Sequence, residues 1–215
     1  MSIDADESGP SVVPAPSPGG VPPSPRLLVV IGSTRPGRIG RPIGLWFAER
    51  ARAHDAFEVE VVDLAELALP FLDEPTLPRL RRYAHAHTKA WSATVERSDA
   101  IVFVTPEYNH GYPAPLKNAI DFLFHEWARK PVGFVSYGGV AAGSRAVKML
   151  QSVAAALRMV PVLETVSIPF IVEFVDEGGR LHPSEMMQRS AATMLDELAR
   201  LEAALRPIRE SARAA

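Results

Sequence analysis

Apolar positions along this chain fall into two alternating kinds of run. Leu27-Leu-Val-Val-Ile31, Asp99-Ala-Ile-Val-Phe-Val104 and Val132 to Ser136 are short, unbroken and rich in β-branched residues. Runs of that kind form strands buried on both faces, as in a parallel sheet. Phe57-Glu-Val-Glu-Val-Val-Asp63 alternates before becoming continuously apolar, which predicts another strand, and short strands are expected around Val162 to Ile168.

Between these runs the apolar residues recur three and four apart. Ile43, Phe47 and Ala51 define one face of a helix over Ile39 to His54. Further helices are predicted over Leu80 to Arg97, Leu116 to Ala128 and Ser144 to Leu157. The third of the four carries Leu116, Ile120, Leu123, Phe124 and Trp127 on one stripe, with Lys117 and Asp121 spaced to pair. A closing helix over Ser184 to Leu205 aligns Met187, Ala191, Met194 and Leu198, whereas Leu64 to Pro78, broken by prolines, reads as loop with a turn of helix. Strands alternating with helices at this rhythm predict an α/β fold with a doubly wound parallel sheet, binding ligands outside the carboxyl ends of its strands.

Composition narrows the picture. With 215 residues the chain suits one domain and a tail, and seven prolines and three acidic residues precede the first basic residue, Arg26. Residues 1–25 are therefore expected to be a disordered proline-rich leader before a domain over 26–208. The leader lacks the basic and apolar regions of a secretory signal, and no later run is long enough to span a bilayer. A net charge of −2 with interspersed signs points to neither nucleic acid nor a membrane surface as partner. The absence of cysteine removes disulfides, thiol nucleophiles and cluster ligands, fits a cytoplasmic protein, and leaves any redox chemistry to an organic cofactor.

The candidate chemistry begins where the first strand ends. Gly32-Ser-Thr-Arg-Pro-Gly-Arg-Ile-Gly40 places hydroxyls at Ser33 and Thr34, guanidinium groups at Arg35 and Arg38, and close-approach glycines before a helix whose unpaired N–H groups face the loop. This is an anion site suited to one terminal phosphate. Gly32 and Gly37 have Walker A spacing, but Arg38 and Ile39 replace the lysine and hydroxyl of that motif, and Thr34 stands at the second glycine of the dinucleotide fingerprint. Asp63 lies too far from Gly32 to be that fingerprint's ribose acid and reads as a cap for the segment beginning at Leu64. His85 and His87 would fall on nearly opposite faces of a helix, as solvated surface residues. Arg79, Arg81 and Arg82 could meet a 2′-phosphate, but beside a helix they read as facing water.

Two more loops come after later strands. Thr105-Pro-Glu-Tyr-Asn-His-Gly-Tyr-Pro-Ala-Pro-Leu-Lys-Asn118 is stiffened by three prolines and carries two tyrosines, an asparagine and a histidine at its tip, which suits one face and edge of a flat heteroaromatic ring. Tyr137-Gly-Gly-Val-Ala-Ala-Gly-Ser-Arg145 is a glycine-rich turn into a helix.

Gly32-Ser-Thr-Arg-Pro-Gly-Arg38, Pro106-Glu-Tyr-Asn109, Pro115-Leu-Lys-Asn-Ala-Ile-Asp121 and Ser136-Tyr-Gly-Gly139, in this order, resemble the NADPH-dependent FMN reductase family. The resemblance implies a flavodoxin-like, five-stranded parallel sheet with helices on both faces, FMN and NADPH as cofactors, and a small-molecule acceptor such as a quinone, an azo dye or free flavin. It assigns the phosphate to Ser33, Arg35, Arg38, Ile39 and Gly40, a ring-contacting loop to Pro106, Glu107, Tyr108 and Asn109, and the pyrimidine edge to Tyr137, Gly138 and Gly139. Hydride would pass from the nicotinamide to the flavin and on to the acceptor in a ping-pong cycle, with Gly138, Gly139 and the helix N-terminus beyond them stabilising charge on the reduced ring. Tyr108, His110 and Tyr112 would line the shared opening. The family also implies a homodimer or homotetramer, for which the Leu116 to Trp127 stripe is a candidate interface. An electron carrier of flavodoxin type and a flavin-bound redox sensor are the competing functions.

Overall fold

The computed structural model describes residues 24–214, so the leader expected over 1–25 lies, but for its last two residues, outside the described residues. Among them, β1 (Arg26–Ile31), β2 (Glu58–Asp63), β3 (Ala100–Pro106), β4 (Pro131–Tyr137), β5 (Val160–Pro161) and β6 (Val166–Ile168) form one parallel sheet. The order is β2-β1-β3-β4-β5, and β6 pairs with β4 further along the same edge. β5 and β6 are thus two pieces of one interrupted fifth strand.

Sequence pattern and position agree. Every residue of β3 and β4, and all but the first of β1, is buried, whereas the edge strand β2 is half-exposed. The helices are α1 (Gly40–His54), α2 (Leu64–Leu67), α3 (Ala86–Glu96), α4 (Ala114–Asp121), α5 (Ser144–Ala156) and α6 (Glu185–Ala214). On one face, Ile43 and Phe47 of α1 meet Met194 and Leu198 of α6 over Leu27 and Val29. On the other, Trp91 of α3, Ile120 of α4 and Leu150 of α5 pack over Leu28 and Val30. Burying each such side chain is worth about 1.5–3 kcal/mol, so the two layers hold the sheet from both sides. No helix of the described residues is long and apolar enough to cross a membrane.

Two helices are shorter than their periodicity predicts. The expected Leu80 to Arg97 helix begins only at Ala86, because the Glu74 carboxylate accepts from the backbone N–H groups of Ala84 (2.7 Å) and His85 (3.1 Å) and holds the approach in non-helical form. The expected Leu116 to Ala128 helix runs from Ala114 only to Asp121. Buried Glu126 accepts from the Phe124 N–H (3.2 Å), Tyr83 Oη (2.8 Å) and Ser92 Oγ (2.8 Å), folding the following residues into a separate turn. The Lys117–Asp121 pair forms at 2.5 Å. The stripe packs mainly inward: Leu116, Ile120, Leu123 and Trp127 are buried within the chain, Phe124 is half-buried, and Trp127 Nε1 donates to the Ile120 carbonyl.

The two histidines also depart from expectation. His85 is extended rather than helical, so its ring stacks on that of His87 with centroids 5.2 Å apart. His87 Nε2 lies 3.0 Å from Asp73 Oδ1, and His85 Nε2 lies 3.2 Å from the Asp73 carbonyl.

Candidate functional site

The carboxyl ends of β1, β3 and β4 lie side by side, and the three loops read from the sequence meet there. Ser33, fully buried just beyond β1, shares a hydrogen bond of 2.8 Å with Tyr108 Oη from the loop beyond β3. That contact joins the predicted phosphate loop to the predicted ring loop.

α1 starts at this rim without a side-chain cap and with no acidic residue in its first turn. Its leading N–H groups and the positive end of its dipole are therefore left for an anion. Arg35 is exposed beside them, with only a long 3.5 Å contact to the Gly37 carbonyl. Arg38 is placed differently from expectation. Its Nη2 is committed to Asp63 Oδ2 at 2.6 Å, while its Nε is buried without a partner. Asp63 has the capping role read from the sequence, since its Oδ1 accepts from the Ala65 N–H at 3.0 Å to start α2.

Tyr137, at the end of β4, closes the floor. Its hydroxyl, buried beside Ser33 and Tyr108, makes no hydrogen bond of good geometry. Burial, with Tyr108 adding to it, pushes the phenol well above its ordinary pKa against the opposing pull of the nearby Ser33 hydroxyl, Arg35 and Arg38, so the group stays a protonated donor. A Cβ added at Gly40 would stand 2.5 Å from that oxygen, which explains why glycine opens α1. Gly139 presents the opposite case: nothing lies within 4 Å of an added Cβ and its backbone does not require glycine, so the open space there is available to a ligand.

The loop beyond β3 ends in a tight hairpin. Tyr108 and Gly111 exchange backbone hydrogen bonds of 2.8 and 2.9 Å, and Asn109 and His110 between them have φ of 48° and 69°. Asparagine tolerates that left-handed conformation, which gives Asn109 a backbone role independent of any ligand. Tyr108 is 40% exposed at the tip, Asn109 and His110 are exposed, and Tyr112 is half-buried. Glu107 turns away from the tip. Its carboxylate pairs with the Arg145 guanidinium and accepts from the backbone N–H groups of Arg145 and Ala146 at the start of α5. Burial works to raise its pKa, but Arg145 and the two amides outweigh it and hold the group below the usual carboxylate range.

Two donors assigned to a flavin edge are consequently occupied. The N-terminus of α5 is already neutralised by Glu107, and the Gly138 N–H donates to the Ile168 carbonyl at 3.2 Å. Arg145 is a site residue that sequence reasoning passed over. Its signal was its place in the first turn of the helix following the glycine-rich loop. A small cleft of about 170 Å³ remains between Glu107, Gly139, Val140 and Arg145, and a larger one of about 480 Å³ opens beside Thr34, Ala68, Phe71, Pro115 and Asn118. Among the described residues, no three histidines, cysteines, aspartates or glutamates are grouped to hold a metal.

The chain is similar to known proteins in sequence and in fold. An NAD(P)H-dependent FMN reductase of Schizosaccharomyces pombe is 43% identical over 150 residues, 68% of this chain and 74% of its own length. An NAD(P)H:quinone oxidoreductase of Solanum tuberosum is 30% identical over 188 residues, 79% of this chain and 89% of its own. In structure, the NAD(P)H:acceptor flavoenzyme FerB of Paracoccus denitrificans superposes with a TM-score of 0.66 at 21% identity, covering 83% of this chain and 97% of its own, a likeness of fold alone. The profile of NADPH-dependent FMN reductases matches residues 25–173, which include all three loops and the whole parallel sheet. The chain belongs to the NADPH-dependent FMN reductase family, and is an oxidoreductase that uses FMN and NAD(P)H.

Proposed function

We propose that this oxidoreductase carries a hydride from NAD(P)H through FMN held at the β1, β3 and β4 rim to a small organic acceptor: a quinone, an azo dye or free flavin. The observation that carries the placement is the uncapped start of α1 beside Arg35 and the unpartnered Tyr137 hydroxyl. These residues fit a phosphorylated flavin: a dianion finds helix N–H groups, a guanidinium and the Ser33 hydroxyl, and glycines leave room where its body must approach. Bound there, FMN supplies two-electron chemistry that the cysteine-free chain does not provide through thiols.

The chain's own residues position and shield. Ser33, Arg35 and the first amides of α1, at Ile39 and Gly40, hold the phosphate, and Arg38, fixed by Asp63, contributes charge beside it rather than a fork onto it. Pro106 stiffens the approach to Tyr108 and Asn109, which border the ring, while Glu107 anchors that loop to α5. Tyr137, buried at the end of β4, would offer a phenolic proton. Gly139 leaves the ring edge open, and Gly138 shapes the turn through its backbone bond to Ile168. One opening bordered by Tyr108, His110 and Tyr112 serves the nicotinamide and then the acceptor, hence a ping-pong order. Assembly as a homodimer or homotetramer belongs to the same reading, through surfaces other than the buried α4 stripe.

Anaerobic mixing of the yellow protein with NADPH tests the proposal. Rapid bleaching of the flavin band, followed by recovery of colour on adding a quinone, is the expected result. Bleaching only through a partner reductase would make the chain a carrier. Protein that stays colourless after incubation with FMN and desalting would overturn the assigned site.

A further inference from the structure

The opposite rim of the sheet contains a cleft of about 550 Å³ that the flavin chemistry does not use. It lies where the chain enters β4 and β5, and is lined by Arg81, Arg129, Lys130, Arg158 and Arg209, together with the apolar Phe124. Lys130 and Arg209 are only 1% and 3% exposed and form its floor. Most of the charge there is already matched. Arg81 pairs with Glu96 at 2.6 Å and approaches Glu126 at 3.6 Å, Arg209 binds Asp99 at 2.9 Å and Glu202 at 2.8 Å, and Lys130 donates to the Val95 carbonyl and to Ser98 Oγ.

Arg129 and Arg158 are the exceptions. Neither guanidinium has a hydrogen bond or ion pair among the described residues, although both line a cleft that also holds two carboxylates. Their backbones are locked together: the Arg129 N–H donates to the Arg158 carbonyl at 2.8 Å, and the Arg129 carbonyl accepts from Arg209 Nη1 at 3.3 Å. Both residues have φ of 61° just past a helical turn, a position where glycine is preferred. A residue with a Cβ is strained in that left-handed conformation. The fold thus lines one cleft with two uncommitted planar cations, at a conformational cost, together with the buried Lys130 and Arg209 and the apolar Phe124 and Leu157.

We propose that this cleft is a second ligand site, which takes a phosphate monoester with an apolar or aromatic body. Two guanidinium forks match a dianion in charge and in paired hydrogen-bond geometry, where a single carboxylate would leave one of them idle. The cleft volume suits a small organic phosphate. Its position at the amino ends of the strands separates it from the flavin rim, so its occupancy and the flavin's are independently measurable.

Calorimetric titration of FMN-saturated full-length protein with phenyl phosphate, and with benzyl alcohol as the uncharged control, tests the assignment. Phenyl phosphate is expected to bind at one equivalent and benzyl alcohol not to bind. Arg129→Ala with Arg158→Ala should weaken binding by at least about tenfold while flavin content and NADPH bleaching stay unchanged. Arg158→Gly relieves the backbone strain, so it should melt higher than the parent yet still lose affinity, which keeps the test open if the double variant fails to fold. Absence of phenyl phosphate binding, or an affinity unaltered in a folded Arg158→Gly protein, would overturn the site and leave the flavin assignment untouched.

Discussion

Two helices start at the same rim of the sheet, α1 after β1 and α5 after β4, and their N-termini are treated in opposite ways. α5 receives the Glu107 carboxylate from a neighbouring loop, which takes two of its leading amides and the Arg145 side chain. α1 has no cap and no acid in its first turn: Arg38 and Arg41 beside it pair with the Asp63 carboxylate, and Arg35 is left exposed. Glu107 makes the start of α5 structural, whereas the start of α1 keeps leading amides that no side chain caps and that suit an anion. The contrast moves the expected stabilisation of a reduced flavin away from α5.

Supplying α1 with an anion of its own is the strongest way to break the contrast. Ile39→Asp places a carboxylate at the uncapped N-terminus, and FMN affinity, read by fluorescence titration, should fall at least about 100-fold through repulsion and competition for the same amides. Tyr137→Phe is gentler. Removing a buried hydroxyl that has no partner should leave the apoprotein melting temperature unchanged or slightly raised, while FMN binding weakens about tenfold. An unchanged FMN affinity would show that the hydroxyl faces no ligand.

The smallest effect falls on the other helix. Glu107→Gln weakens the α5 cap and the Arg145 pair, which should lower the melting temperature by about 3 °C at neutral pH with little change in FMN affinity. The pH dependence has a definite sign. Because the folded-state pKa of Glu107 is depressed, its contribution is present above the ordinary carboxylate value of 4.5 and is lost as the pH falls through the lower folded value. The gap between parent and variant should therefore close in acid, and a gap that widened there would contradict the capping role.

The strands and most helix starts were legible because each depends on its own residues. β1, β3 and β4 are buried on both faces, as continuous apolar runs require, and the three ligand loops begin where those runs stop. What could not be read was which donors were already spent. Arg38 is held by Asp63, 25 residues on, Arg145 by Glu107, 38 residues back, and the Gly138 N–H by Ile168. The same kind of remote contact shortened α3 through Glu74, whereas α4 ended early through Glu126 only a few residues ahead. Periodicity reports which face of an element is apolar; it carries nothing about a carboxylate arriving from elsewhere in the fold.

The Ser33–Tyr108 hydrogen bond has a thermodynamic corollary. Where Ser33 is the donor in that contact, an oxyanion that claims its hydroxyl competes with Tyr108, so filling one end of the pocket reaches the hairpin tip at the other. Inorganic phosphate alone, lacking any ring, would then loosen the aromatic gate, and an aromatic ligand wedged under that gate would tighten or relax the grip on phosphate by the same factor.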